Sequence, residues 1–473
     1  MEALDLRRDL TLLLPGGHGA EDGSKPMAVN DVQAPVKNRG WIVTISATIA
    51  LLMLGALYAW SVVKQAVPAE WGWSEADKIW PYSICLIFFS IFTAIGGRIQ
   101  DKRGPRIMIT AGGIFAGLGL IVCGLSSNPL VWYLGFGVLL GIGIGLAYSS
   151  GTPPSVKWFP ASKTGLISGI VVAGFGGGAV WVAPTLRALI GSYGIPTTMI
   201  VFGMAVAAVM VFFAQFVKAP PPGYVPQESP AKAGAKAKPR KVVVDFAPAE
   251  MARTWQFPVM VACFAFGGGA GLVVIGNMAS IVTSFGLEAY SAIAVSVLAL
   301  GNGFGRVIYG KLSDNFGRIA ILAFAMALQA ALILALSMIG TASAETVDGV
   351  TKFTGPATVP LALVLVLVAF IGANYGANLA VFPALTKDFF GLRNFGSNYG
   401  LVYQGWGIGG FIVSQVAAYL IAGRKADGAA DIYLWAFYET IAILVVGVGL
   451  LLMLRAPKRK AEAEVPVAAS ATP

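Results

Sequence analysis

The stretch Leu298-Ala-Leu-Gly-Asn302-Gly-Phe-Gly-Arg306-Val-Ile-Tyr-Gly310-Lys-Leu-Ser-Asp314-Asn-Phe-Gly317-Arg318 decides how the rest of the chain is read. It begins as an apolar, glycine-dotted helix and closes in a short polar turn. Arg306 lies inside the apolar part, about one helical turn before the polar turn begins. A guanidinium cannot shed its charge, so in hydrocarbon it must face a cavity, a partner or an anion. The apolar part of this helix offers no acidic residue to pair with it. The simplest account is a carboxylate that arrives from outside the protein.

Composition supplies the hydrocarbon setting. Of 473 residues, 56% are hydrophobic and 12% charged, against roughly a quarter charged in soluble domains. A chain this apolar is an integral membrane protein whose partner is the lipid bilayer. Its 59 glycines suit close helix–helix contact in lipid. The net charge of +10 does not indicate nucleic acid, because the basic residues fall mostly in short segments between apolar runs. Cys85, Cys123 and Cys263 lie in apolar runs with neither disulfide nor metal spacing, and packing accounts for them. The single histidine, His18, is in the N-terminal tail, so no histidine relay is expected within the membrane. Gly305 to Leu312 nearly spells a phosphate-binding loop, but Leu312 replaces the required Ser/Thr and no strand precedes it. No nucleophile–base pair or metal cluster is recognisable, so neither an enzyme nor a cofactor is expected.

From Trp41 the chain falls into apolar runs of spanning length. They are predicted at about 41–65, 77–99, 106–126, 129–152, 163–190 and 196–217, then 256–284, 289–311, 318–340, 357–384, 397–422 and 432–455. The expected organisation is a tail (1–39), a six-helix bundle (40–218), a basic linker (219–254), a second six-helix bundle (255–455) and a C-terminal tail (456–473). The fold class is therefore all-α, twelve membrane helices in two bundles. Arg98, Lys102, Arg103, Lys157, the linker, Lys387 and Arg393 fall on one side. The positive-inside rule makes that side, and both termini, cytoplasmic, as in a cell (inner) membrane. Lys64, Lys78, Arg187, Lys352, Arg424 and Lys425 run against the trend. The halves also repeat: Gly97-Arg-Ile-Gln-Asp101-Lys-Arg-Gly104 follows the second run and Gly310-Lys-Leu-Ser-Asp314-Asn-Phe-Gly317 the eighth. Two parallel repeats suggest a site near the midplane between them.

This doubled Gly-x-x-x-Asp-x-x-Gly loop, with twelve helices, resembles the major facilitator superfamily from about Trp41 to Arg455. The resemblance implies alternating access by a functional monomer. Asp101 with Arg106, and Asp314 with Arg318, would then act as latches on the cytoplasmic face. Within the superfamily, Asn302-Gly-Phe-Gly-Arg306, Tyr58-Ala-Trp60-Ser61 and Asn398-Tyr-Gly-Leu401 are similar to the oxalate/formate antiporters and the related monocarboxylate transporters. That similarity implies that Arg306 binds a substrate carboxylate. A planar fork of donors matches a carboxylate bidentately, whereas the alternative is an arginine snorkelling to the nearby face.

Two departures narrow the expected substrate. The oxalate transporter of that family carries a lysine on its eleventh helix, where this chain has Trp406. One cavity cation balances a monocarboxylate, of formate, lactate or pyruvate type, better than a dicarboxylate. Proton-coupled relatives carry an aspartate where this chain has Asn302, which cannot titrate, so anion exchange is favoured. Tyr58, Trp60, Asn277, Tyr375, Tyr403, Gln404 and Trp406 are expected to complete the pocket with Arg306 and Asn302. Asn374 is a further candidate and Tyr148 a weaker one. Glu439 is expected to be structural. The alternatives are an exporter of unrelated solutes and a carboxylate sensor; the short linker and tail leave little room for a signalling domain.

Overall fold

The computed structural model describes residues 38–160, 163–221, 224, 226, 245–339, 343–347, 350–354, 360–391 and 394–457. The expected tails, the body of the linker and the side chain of Asp101 lie outside the described residues. Helices long and apolar enough to cross a membrane are α1 (Gly40–Ala66), α2 (Trp80–Gln100), α3 (Pro105–Gly124) and α4 (Pro129–Lys157). The next apolar stretch, Leu166–Ala214, is 49 residues long. At 1.5 Å per residue it is about twice what a bilayer needs. It is two helices: Gly194, at φ 74 and ψ 170, breaks it, and Pro196 restarts it. We number them α5 (166–193) and α6 (195–214). The second half holds α7 (Gln256–Ser284), α8 (Glu288–Phe316), α9 (Arg318–Ser337), α10 (Leu361–Phe390), α11 (Phe395–Ala426) and α12 (Leu434–Met453). These twelve passes among the described residues form the two expected six-helix bundles.

Between α9 and α10 lies one element the hydropathy pattern does not announce. Strands β1 (Ser343–Val347) and β2 (Val350–Thr354) pair antiparallel, with Ser343 opposite Thr354 and Val347 opposite Val350. This hairpin marks one face of the molecule, the hairpin face. The face that carries Asn38, Lys218 and Arg455 is the linker face.

The internal repeat is visible in the backbone. Gly104 (φ 85, ψ 160) ends α2 and Gly317 (φ 93, ψ 147) ends α8, and each amide bonds the carbonyl four residues back. Such a conformation strains any residue with a Cβ, which is why both loops carry glycine there. Beyond Gly317 the polar turn folds on itself. Arg318 donates from Nη2 to Asp314 Oδ1 at 2.5 Å, from Nε to Asp388 Oδ2 at 3.1 Å and from Nη1 to Ser313 Oγ at 2.6 Å. In the first copy, Arg106 Nε donates instead to Gln215 Oε1 at 2.5 Å.

Glycines set how closely the helices pass. On α8, a methyl at Gly301 or Gly305 would overlap the carbonyl oxygens of Ala369 and Ala373; on α10, one at Gly372 or Gly376 would overlap those of Leu298 and Asn302. Two small-xxx-small pairs thus interlock backbone against backbone, the tightest packing available in lipid. That seam fixes the rotation of α8. Phe304, Val307 and Ile308 are exposed while Asn302 and Arg306 are buried.

Candidate functional site

The site lies where the two bundles meet. The interface is built from α1 against α7, α2 against α11 and α5 against α8. Arg306 enters it from α8 with 4% of its surface exposed. Its guanidinium donates from Nε to Asn302 Oδ1 at 3.1 Å and from Nη1 to the Val172 carbonyl of α5 at 3.0 Å. The side chain sits over Gly176, where a Cβ would stand 3.0 Å from Cζ and 3.1 Å from Nε and Nη2. Nη2 and the Asn302 Nδ2 are buried and have no hydrogen-bond partner. Two donors, one turn apart on one helix, therefore lack a well-formed bond among the described residues, while the hydroxyls of Tyr58 and Tyr148 lie beside the guanidinium. A buried donor without a partner costs about 1–3 kcal/mol, more when charged.

Aromatic side chains surround these donors. Tyr58, Tyr148, Tyr375, Tyr399 and Tyr403 are phenols in electrostatic reach of the guanidinium. Tyr58 comes from the place where α1 loses its helical form. The helix runs Gly40–Leu52, tightens to a 3-10 turn at Met53–Ala56 and resumes at Trp60–Ala66. There Gly55 abuts Gly178 of α5 so closely that no Cβ fits between them. The Tyr58 hydroxyl lies 3.2 Å from that of Tyr375 on α10, and Trp406 Nε1 on α11 donates to Tyr375 at 3.0 Å. An indole only donates, so the Tyr375 oxygen accepts there and its own proton is available to Tyr58. This chain of polar groups ties one bundle to the other. Tyr403 stacks on Trp406 (centroids 5.3 Å, 21°) and faces Tyr148 (6.2 Å, 24°). Phe89 and Phe175 pack edge-on against the same rings.

The structure thus brings together Arg306, Asn302, Tyr58, Tyr375, Tyr403 and Trp406, and adds Tyr148 and Phe175 from the first half. Three other expected pocket residues bond away from Arg306, two of them across the same seam. Trp60 donates to the Lys78 carbonyl at 3.1 Å and packs on Trp132 and Phe136 within the first bundle. Gln404 joins α11 to α2, donating to the carbonyls of Ser90 (3.1 Å) and Gly400 (2.9 Å). Asn277 accepts from Lys64 Nζ at 2.6 Å. Asn374, a further candidate, accepts from Tyr309 at 2.5 Å inside the second bundle. Glu439 is on α12, which packs on α7 and α9; its Oε2 is buried without a partner.

Lys64 is a buried cation at the seam that the sequence reading does not single out. In sequence it is a charge against the positive-inside trend, yet it is 7% exposed and bonds a neutral amide across the bundle interface. The signal was present: a lysine only four residues beyond Trp60 on a membrane helix. On the loop after α1, Glu75 Oε1 accepts from Lys425 of α11 at 2.9 Å and from Lys78 at 3.4 Å. Burial on its own would raise the Glu75 carboxyl, but the ammonium groups of Lys64, Lys78 and Lys425 outweigh it and hold it down at about 2.

Comparison with known proteins places this geometry in a family. The sequence profile of the Major Facilitator Superfamily matches residues 41–353, and the chain belongs to that superfamily. It is a multi-pass membrane transporter of a small solute and not an enzyme. It is 29% identical over 373 residues to the uncharacterized transporter YhjX of Escherichia coli K12, covering 78% of this chain and 85% of that one. It is 26% identical over 370 residues to the oxalate:formate antiporter of Oxalobacter formigenes, covering 77% and 81%. Its fold matches the crystal structure of a bacterial homolog of the human lysosomal transporter Spinster, inward-facing and unoccupied. The TM-score is 0.60 at 15% identity, covering 88% of this chain and 97% of that one.

Proposed function

We propose that the protein carries a small carboxylate across a cell (inner) membrane by alternating access, with Arg306 as the anchor for the anion. The observation that carries this reading is the pair of buried donors without a well-formed bond among the described residues, Arg306 Nη2 and Asn302 Nδ2, beside the phenols of Tyr58 and Tyr148. A carboxylate presents two acceptor oxygens to such a pair and removes both desolvation penalties at once. Tyr58, Tyr148, Tyr375, Tyr403 and Trp406 supply apolar walls with a few polar edges, a lining suited to a small anion. The similarity to the oxalate:formate antiporter supports the same class of substrate.

Trp406 is an uncharged neighbour of the site, so a monocarboxylate balances Arg306 better than oxalate does. Asn302 does not titrate, and anion exchange therefore suits the site better than proton symport. The linker face, with the linker and both termini, is taken as cytoplasmic on the distribution of Lys and Arg. Transport is read as the work of a monomer, the two bundles (40–218 and 255–455) rocking about the site.

Counterflow in proteoliposomes preloaded with formate tests the proposal. Labelled formate, lactate, pyruvate and oxalate are offered to wild type and to Arg306→Gln. Saturable uptake of a monocarboxylate, lost in a folded Arg306→Gln protein, is the expected result. A folded wild type that takes up none of the four overturns the substrate class.

A further inference from the structure

On the hairpin face, two ammonium groups bond one carboxylate at the seam between the bundles, and a third, Lys64, lies within its electrostatic reach. Lys64 and Lys78 belong to the first half and Lys425 to the second; Glu75 takes Lys425 at 2.9 Å and Lys78 at 3.4 Å. Neighbouring charges are satisfied locally. Arg424 pairs with Asp431, and Asp77 accepts from Ser74 and from Tyr133 at 2.6 Å. Glu75 is therefore the carboxylate that the three lysines share. Lys64 is the deepest of them, and its bond at 2.6 Å is to Asn277, which brings no charge. A buried ammonium held by a neutral amide is poorly compensated, since such groups normally pair with an anion.

We propose that Lys64, Lys78 and Lys425 form an anion-capture site at the hairpin-face mouth of the path, occupied by the Glu75 carboxylate while that face is closed. The proposal rests on the carboxylate reading of the central site and adds a second, peripheral station to it. The closed face needs a counter-anion for three lysines, and the protein supplies its own. When the halves part, Glu75 and Lys425 separate with them. Lys64 and Lys425 then face solvent across the mouth, short of an anion, and draw an incoming carboxylate towards Arg306. The same charge balance makes release of that anion necessary before the face can close again on Glu75.

Initial uptake is measured separately from the hairpin face and the linker face in proteoliposomes of sorted orientation. Glu75→Gln and Lys425→Gln both break the ion pair across the seam, so a simple latch predicts that they act alike. A capture site predicts opposite signs. Glu75→Gln removes the internal competitor and lowers the hairpin-face KM. Lys425→Gln and Lys64→Met remove attraction and raise it, by about tenfold for a charge-assisted contact. The linker-face KM is expected to stay within about twofold, on the same scale. Shifts of the same sign for Glu75→Gln and Lys425→Gln, or equal shifts at both faces, overturn the proposal.

A binding measurement separates it from the central site. In Arg306→Gln protein, adding Glu75→Gln should restore a rise in Tm with formate or lactate at fixed ionic strength, and further adding Lys64→Met should abolish it. If wild type transports no carboxylate but this Lys64-dependent shift is seen, the transport reading fails and the capture site stands. If wild type transports carboxylate and the shift is missing, the capture site is overturned alone. Lys64→Arg, which keeps the charge, serves as the folded control should Lys64→Met not be recovered.

Discussion

Arg306 Nη1 donates to the carbonyl of Val172, 134 residues earlier in the chain, at 3.0 Å. One guanidinium thus binds the backbone of the first bundle while its stem belongs to the second. With Nε on Asn302 and Nη2 without a well-formed bond, the arginine spans the seam that must open and close during transport. An anion that takes Nη2 alters the electrostatics of the seam without displacing the other two bonds. This gives occupancy a direct physical route to the equilibrium between the two open states.

Replacing the fork by a point charge should separate charge from geometry. Arg306→Lys keeps a cation but loses the planar, multiply donating group, so uptake at low substrate is expected to fall about 10- to 100-fold. Arg306→Gln should fall further. Equal activity of Arg306→Lys and wild type would show that only the charge matters.

The hydroxyl of Tyr375 holds two partners, and its removal should cost more than that of Tyr58. Tyr375→Phe leaves Trp406 Nε1 buried and unpaired and takes one bond from the Tyr58 hydroxyl, a loss of about 1–3 kcal/mol. Tyr58→Phe leaves the Trp406–Tyr375 bond in place. Thermal unfolding in detergent should therefore rank wild type above Tyr58→Phe above Tyr375→Phe, and the reverse ranking would refute the bridging role.

Gly176 lies under the guanidinium, whereas Gly305 lies in the seam between α8 and α10. Gly176→Ala pushes on Arg306 at 3.0 Å and is expected to raise KM several-fold with little change in Tm. Gly305→Ala forces a methyl into the Ala373 carbonyl and is expected to destabilise by at least about 1–3 kcal/mol. Substrate titrations and melting curves on the same preparations distinguish the two.

The Glu75 carboxyl, held down at about 2, sets a pH window. A depressed folded-state value stabilises above the ordinary carboxylate range and is lost as pH falls through the folded value. The contribution of Glu75 is therefore fully present from pH 8 to about 5 and disappears only between roughly 4.5 and 2. The difference in Tm between wild type and Glu75→Gln should be flat from pH 8 to 5. A difference that shrinks between pH 7 and 6 would mean that Glu75 is not ionised as described.

The turn after α8 carries a different kind of ion pair. Asp314 is 62% exposed and Asp388 42%, so each bond to Arg318 is worth at most about 1 kcal/mol and is screened by salt. Asp388→Asn should leave Tm nearly unchanged and alter exchange rate in a salt-dependent manner, measured as turnover between 20 and about 500 mM salt. A large loss of Tm would instead make Asp388 a structural cap.

Much of the architecture was legible in the chain, and the reason is local. A membrane helix satisfies its backbone within one segment, so length and hydropathy alone mark the spans. Even the break at Gly194-Ile-Pro196 is written in two residues. Arg306 was equally legible, because a guanidinium in an apolar run demands an explanation wherever it points. Trp60, Gln404 and Asn277 show where that reasoning stops. Their types suited a pocket, but a helix presents its side chains around a full turn, and hydropathy does not say which arc faces the path.

That choice belongs to the tertiary structure. The glycine seam of α8 and α10 sets the rotation that buries Asn302 and Arg306 on one side of α8. The contact of Gly55 with Gly178 accompanies the break in α1 that presents Tyr58 to Tyr375, 317 residues away. Lys64 reads in sequence as a charge against the positive-inside trend and becomes a buried cation only when α7 is laid against it. The sequence by itself determined the twelve spans, their repeat and an arginine within an apolar run, since each follows from forces acting within one segment. Only the packing of the two bundles decided which side chains share the site, because those contacts join helices with no local relation to one another.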